Sequence, residues 1–278
     1  MLSKTKQFYW KYIKIDIQDI TLSGVLIGLY LISGKFIELN FQGIMHVGIT
    51  FVFLIMFGIF FGPIKGVFFS LIADTFKMLI TTGVGQWMWE YELITIGIPL
   101  MSWAFKFLFN VDSKRWWGWM LVINLITLLG IVLVSIISFN NPLLNKASNH
   151  SFDFNDSTMI LIYSMSSVLT VIQISFFYLY KRNNNNSLKL IISIQTLVMM
   201  IVVIWIWIWG PIAYVRFLKR FGHNAGKINY YTYEKYYKVS LWARILKTPI
   251  IIPLYTTLLI PLYKATEFSV KKMQKNTF

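Results

Sequence analysis

Cysteine is absent, so disulfides, zinc–thiolate sites and iron–sulfur clusters are excluded both as staples and as chemistry. Charge is scarce. Asp, Glu, Lys and Arg make up 13% of the 278 residues, about half of the roughly 25% usual in a soluble domain. What charge there is runs one way, with 26 basic residues against 11 acidic ones and a net charge of +15. The three histidines, His46, His150 and His223, are isolated, with no carboxylate at ligand spacing, so no metal site is expected. No glycine loop followed by Lys-Ser or Lys-Thr is present, so the chain is not expected to hydrolyse ATP itself. No serine, histidine and acid are placed for nucleophilic catalysis, and no enzyme activity and no cofactor are expected. Residues 1–19 hold four lysines and no uninterrupted apolar region ending in a cleavage site, so they do not read as a cleaved signal peptide.

What fills the chain is apolar side chain, 56% hydrophobic with a mean hydropathy of +0.61. Runs of this kind reach the roughly 20 residues needed to cross a hydrocarbon core. The expected fold class is all-α, a polytopic membrane helix bundle. We count about eight candidate spans, near 20–37, 44–61, 63–82, 91–109, 116–139, 157–180, 188–209 and 240–263. No linker separates two domains, so 1–278 reads as one integral membrane domain. Residues 1–19 form an N-terminal segment and 265–278 a tail. The basic residues flank the apolar spans instead of forming a stripe, which favours retention on the cytoplasmic side over nucleic-acid binding.

An even number of spans puts both termini on one side. If that side is cytoplasmic it receives fifteen of the Lys and Arg residues and the outside eight, so both termini are expected inside. Six of the eight outer charges fall in one connection, 210–239, where Tyr230, Tyr231, Tyr233, Tyr236 and Tyr237 lie among lysines. That connection reads as an amphipathic surface segment that either folds on the protein or attracts an anion.

With this sidedness the outer half of the bilayer collects several groups able to hold a ligand. After the Gly62-Pro63 turn, helical spacing places Gly66, Ser70, Asp74, Lys77 and Thr81 on one small and polar face of an otherwise apolar helix. An ionisable residue inside a span is costly and points to function, although Asp74 and Lys77, three apart, are also able to neutralise each other. Arg244 and Lys247 share that spacing but are both cations. They either snorkel to headgroups or clamp a carboxylate, which Arg does with two prongs. Pro249 and Pro253 then kink the same helix and free carbonyls. Trp205 and Trp209 share one face, Trp207 the other, and Trp87 and Trp89 stand in the outer connection with Glu90 and Glu92. An aromatic belt accounts for all of these, and stacking on a planar ligand is the sharper reading. On the first span Gly24 and Gly28, with Ser23 beside them, permit close approach of another helix.

Two stretches carry a resemblance. Ile49-Thr50-Phe51 through Phe61-Gly62-Pro63-Ile64-Lys65-Gly66 to Ala73-Asp74 looks like the second and third helices of the substrate-binding S components of energy-coupling factor (ECF) vitamin transporters. Arg244-Ile245-Leu246-Lys247-Thr248-Pro249-Ile250-Ile251-Ile252-Pro253 resembles the R-x-x-K-x-P-I-x-x-P ending of their folate subfamily. The resemblance covers about 20–109 and 188–264, leaving 110–187 as an inserted helical pair on a six-helix S-component-like core. Where the folate subfamily has a Gly-Gly-x-Phe-x-Pro-Gly-Phe-like segment, this chain has Gly83-Val84-Gly85-Gln86-Trp87-Met88-Trp89-Glu90.

The resemblance implies a multi-pass protein of a bacterial plasma membrane that captures a vitamin, folate or a related pterin. Such a protein docks on a transmembrane coupling subunit with two cytoplasmic ATPase subunits. On this reading Asp74 accepts hydrogen bonds from amino or ring N–H groups and Lys77 orients it. Arg244 and Lys247 hold an anionic tail, and Trp87, Trp89, Trp205 or Trp209 stacks on the rings. Ser23, Gly24 and Gly28 face the coupling subunit. The alternatives are a self-sufficient secondary transporter using Asp74 as a proton or ion site, and an S component for another vitamin such as riboflavin. The absence of a clear internal repeat counts against the first.

Overall fold

A computed structural model describes residues 13–36, 38–41, 45–81, 85, 87–111, 113–139, 154–183, 185–222 and 230–276. The chain is a polytopic helical bundle, and among the described residues seven helices are long and apolar enough to cross a membrane. In chain order they are α1 (Ile17–Phe36), α2 (Thr50–Thr81), α3 (Trp89–Asn110), α4 (Ser113–Phe139), α5 (Phe154–Asn183), α6 (Asn186–Phe221) and α7 (Tyr230–Asn276).

Between α1 and α2 lies a two-stranded antiparallel ribbon, β1 (Glu38–Phe41) and β2 (Met45–Gly48), with Glu38 opposite Gly48. The span expected from 44 therefore starts later, at Thr50, because residues 45–48 pair as a strand.

α2 contains the two spans expected at 44–61 and 63–82. It is helical throughout its 32 residues except at Gly62, whose φ of 83° and ψ of −168° suit glycine. Pro63 follows at the first position of the second arm, where its missing N–H costs nothing. The two arms, 50–61 and 63–81, fold back on each other. A Cβ placed on Gly66 would stand 2.6 Å from the Phe57 carbonyl oxygen, and the Phe61 and Phe69 rings lie 4.8 Å apart. In a straight helix, residues nine apart would be separated by about 13 Å along the axis. The first arm is buried on every side from Val52 to Ile59, the pattern of a helix at the centre of a bundle.

By internal packing the chain divides into two compact units, residues 1–110 with 254–278 and residues 111–253. In the first unit α2 packs on α1 and α3. Gly58 lies against the backbone of Pro99, close enough to exclude a Cβ. Ser70 donates a 2.9 Å hydrogen bond to the Thr95 carbonyl of α3. Lys65 pairs with Asp19 at 2.6 Å. The part of α7 in this unit joins through Tyr255, whose hydroxyl donates to the Gly48 carbonyl at 2.7 Å, and through Tyr263, whose ring meets Phe60 and Phe109.

The second unit contains α4, α5, α6 and the first part of α7. Its helices are joined by polar pairs in an apolar setting: Trp116 to Ser193 at 2.9 Å, Gln173 to Thr196 at 2.7 Å, and the Lys189 ammonium to the Val111 carbonyl. Trp116, Trp117, Phe177 and Tyr180 cluster around the first of these. Leu121, Leu125 and Leu129 of α4 and Ile160, Val171 and Ile174 of α5 stay exposed. Such faces suit contact with lipid.

The connection expected at 210–239 is in large part helix. α6 runs unbroken to Phe221 and α7 begins at Tyr230. At 1.5 Å per residue the 36 residues of α6 reach about 54 Å and the 47 of α7 about 70 Å, well beyond a hydrocarbon core of roughly 30 Å. The lysines and arginines of this segment made it look like a loop, but they are good helix formers once the helix has left the apolar layer. Residues 1–12, 82–84, 140–153 and 223–229, with Lys4, Lys6, Lys11, Gly83, Lys146, His150, His223 and Lys227, lie outside the described residues.

Candidate functional site

Within the first unit, one end of the bundle gathers the polar groups. Tyr30 of α1 is buried, 2% exposed, and donates a 2.6 Å hydrogen bond to Oδ1 of Asp74 on the second arm of α2. Lys77, one turn on, runs its stem along Gly34, and its ammonium stands 5.7 Å from the centre of the Tyr30 ring. That placement corrects the expected Asp74–Lys77 pair. Tyr30, not Lys77, holds the carboxylate, and among the described residues Asp74 and Lys77 form no ion pair. Lys77 instead takes up a cation–π contact.

The first turn of α3 adds a second acid. Glu92 is buried, and its Oε1 accepts a 3.0 Å hydrogen bond from the Trp87 indole. Glu92 is within electrostatic range of Asp74 and of the Tyr30 hydroxyl. The helix geometry requires this proximity. Ser70 and Thr95 tie the second arm of α2 to α3, so one turn beyond Ser70 and about one turn before Thr95 bring Asp74 and Glu92 to the same level of antiparallel helices. Trp87 thus serves as a hydrogen-bond donor to an acid, with half its surface still exposed. Trp89 is equally exposed.

The second unit holds the remaining expected residues. Over Val202–Trp209 the backbone of α6 widens into a π-helix, ending where Pro211 enters. Pro211 has no N–H for the carbonyl four residues back, and π turns of this kind gather at functional places. In this run Trp207 is fully buried, with its Nε1 donating 2.9 Å to the Thr248 hydroxyl of α7. Trp205 and Trp209 are half-buried.

One turn from Thr248, Arg244 is half-buried and its Nε donates to the Ser240 hydroxyl at 3.2 Å. Its guanidinium lies over the bare backbone of Gly210, where a Cβ would stand 2.5 Å from Nη1. Lys247 is half-buried on the same helix. Asp74, Lys77 and Trp87 therefore belong to the first unit, and Trp205, Trp209, Arg244 and Lys247 to the second.

On α1, no atom of the described residues lies within 4 Å of a Cβ at Gly24 or Gly28. Ser23 is different. It is buried and donates to the Ile20 carbonyl of its own helix, so it is not on the open glycine face.

The residues that local pattern passed over are Tyr30, Ser240, Thr248 and Gly210. A phenol in the middle of an apolar span was a usable signal, because a buried hydroxyl needs a partner. Gly210 had no such sign. Among the described residues no group of His, Cys, Asp and Glu is placed to hold a metal ion. Comparison with protein-family models, with curated proteins and with solved structures gives no match for this chain.

Proposed function

We propose that this chain is the membrane-embedded capture subunit of an ECF-type importer, taking folate or a related pterin, with transport driven by ATP hydrolysis on partner subunits. The observation that carries the reading is the hydrogen bond from buried Tyr30 to half-buried Asp74. It fixes one carboxylate oxygen inside a helical unit and leaves the other to accept N–H groups, which is the role the resemblance gives Asp74. The rest is consistent in chemistry. Arg244, in the second unit, lies over Gly210 and is a group that pairs with carboxylates. Gly24 and Gly28 offer an uncovered small-residue face, suited to a helix of the coupling subunit. The membrane on this reading is a bacterial plasma membrane, with both termini in the cytoplasm.

Native mass spectrometry of protein purified from its own cells tests the proposal. A retained pterin or folate supports it. A different vitamin, such as riboflavin, keeps the capture role and changes the ligand. A protein that holds no vitamin and binds none in titration fails the proposal.

One observation favours a second reading, a proton-driven transporter. Two carboxylates, Asp74 and Glu92, lie within electrostatic range of each other on spanning helices, and such groups serve as proton relays. Reconstitution of the chain alone separates the two, because only the transporter moves solute down an imposed proton gradient without partner ATPases.

A further inference from the structure

The geometry points to Asp74 and Glu92 as a paired acceptor for the amidine-like or cationic head of a ligand, with Tyr30 and Trp87 as the residues that position the two acids. The assignment rests on the reading of this chain as a small-ligand capture protein, and it names the chemical class of the ligand's head group.

Each carboxylate is anchored through one oxygen, and its second oxygen has no hydrogen-bond donor among the described residues. Tyr30 holds Oδ1 of Asp74 at 2.6 Å, and Trp87 holds Oε1 of Glu92 at 3.0 Å. Glu92 is 7% exposed, and its Oε2 is fully buried with no hydrogen-bond partner among the described residues. A buried carboxylate oxygen without a donor is costly, so the arrangement persists only where something else satisfies it. The charges agree. Asp74, Glu90 and Glu92 share this end of the first unit, while Lys77 turns its ammonium to the face of the Tyr30 ring. What the described residues lack is therefore one further donor to each acid. A planar group with two adjacent N–H bonds supplies both, one to each open oxygen. An amidinium does this with a full charge, and the 2-amino and ring N–H of a pterin do it without one. A carboxylate or a phosphate would be repelled here.

The test uses the full chain in detergent micelles or nanodiscs, with benzamidinium and free pterin as probes and benzoate as the control of like shape and opposite charge. Binding of both probes but not of benzoate, weakened about tenfold or more by Glu92→Gln and by Asp74→Asn, is the expected result. Trp87→Phe, which removes the hydrogen bond to Glu92 and keeps an aromatic ring, is expected to lower benzamidinium affinity by a smaller factor while circular dichroism stays unchanged. It keeps the test decisive if Glu92→Gln does not fold. Vitamin binding with no loss in any of the three variants overturns the inference and leaves the capture function standing. Glu92-dependent benzamidinium binding in a protein that retains no vitamin overturns the capture function and leaves the acid pair standing. No binding of either probe at millimolar concentration overturns the pair itself.

Discussion

The guanidinium of Arg244 occupies the space that a side chain on Gly210 would need. A Cβ there would stand 2.5 Å from Nη1 and 2.8 Å from Cζ. Gly210→Ala therefore pushes the guanidinium off its seat without touching Arg244. If Arg244 holds the ligand's carboxylate, Gly210→Ala is expected to weaken folate binding about tenfold, in the same direction as Arg244→Ala and less strongly. Isothermal titration of both variants checks this. Equal affinities for wild type and Gly210→Ala remove Arg244 from the binding site.

The turn at Gly62 makes a separate prediction about stability. A Cβ on Gly66 would meet the Phe57 carbonyl oxygen at 2.6 Å and the Gly58 Cα at 3.2 Å. Both are backbone atoms, and neither can swing aside as a side-chain end would. Gly66→Ala is expected to cost about 1–3 kcal/mol by forcing the two arms of α2 apart. Gly24→Ala, with nothing within 4 Å, is expected to change stability by no more than about 0.5 kcal/mol. Thermal unfolding of both variants in one detergent measures the contrast.

The reversal at Gly62 was readable because glycine and proline act locally: positive φ and a fixed φ leave the chain few options. The spans themselves were readable for a similar reason, since length and hydropathy are sums over neighbours. Asp74 was visible as an ion in an apolar run. Its partner was not. Tyr30 lies 44 residues away in sequence, and nothing in helical periodicity ties those two positions together. The same limit hid the Trp207–Thr248 bond, 41 residues apart, and favoured Trp205 and Trp209 on the other face. The helical stretches 210–221 and 230–239 were misread for a different reason: a composition rule detects the edge of the apolar layer, not the end of the helix. The β1–β2 ribbon was missed because apolar residues there extended the following span.

Gly24 and Gly28 test the partner side of the proposal. Among the described residues nothing covers either glycine, so Gly24→Leu and Gly28→Leu are expected to leave the melting temperature and the ligand affinity unchanged. Under the proposed function the double variant loses co-purification with the coupling subunit, since bulky side chains hold a second helix away. Ser23→Ala is expected to have no such effect, because its hydroxyl is spent on the Ile20 carbonyl. Full recovery of the complex with both leucines in place removes this face as the docking surface.

The Asp19–Lys65 pair sets a final expectation, with a control built from the same two residues. Lys65 is 7% exposed and Asp19 25%, with 2.6 Å between their charged atoms. The acid also lies in the first turn of α1, where the helix dipole favours a negative group. Removing one member strands the other. Asp19→Ala leaves a buried ammonium without its counter-ion, which typically costs about 3–5 kcal/mol. Replacing both, with Asp19→Leu and Lys65→Met, removes the attraction and the desolvation cost together, and the double variant is expected to be more stable than Asp19→Ala alone. Thermal unfolding of the single and double variants gives the coupling. If the double variant is no more stable than Asp19→Ala, the two charges do not depend on each other, and the pair is not what ties α1 to the start of the second arm of α2.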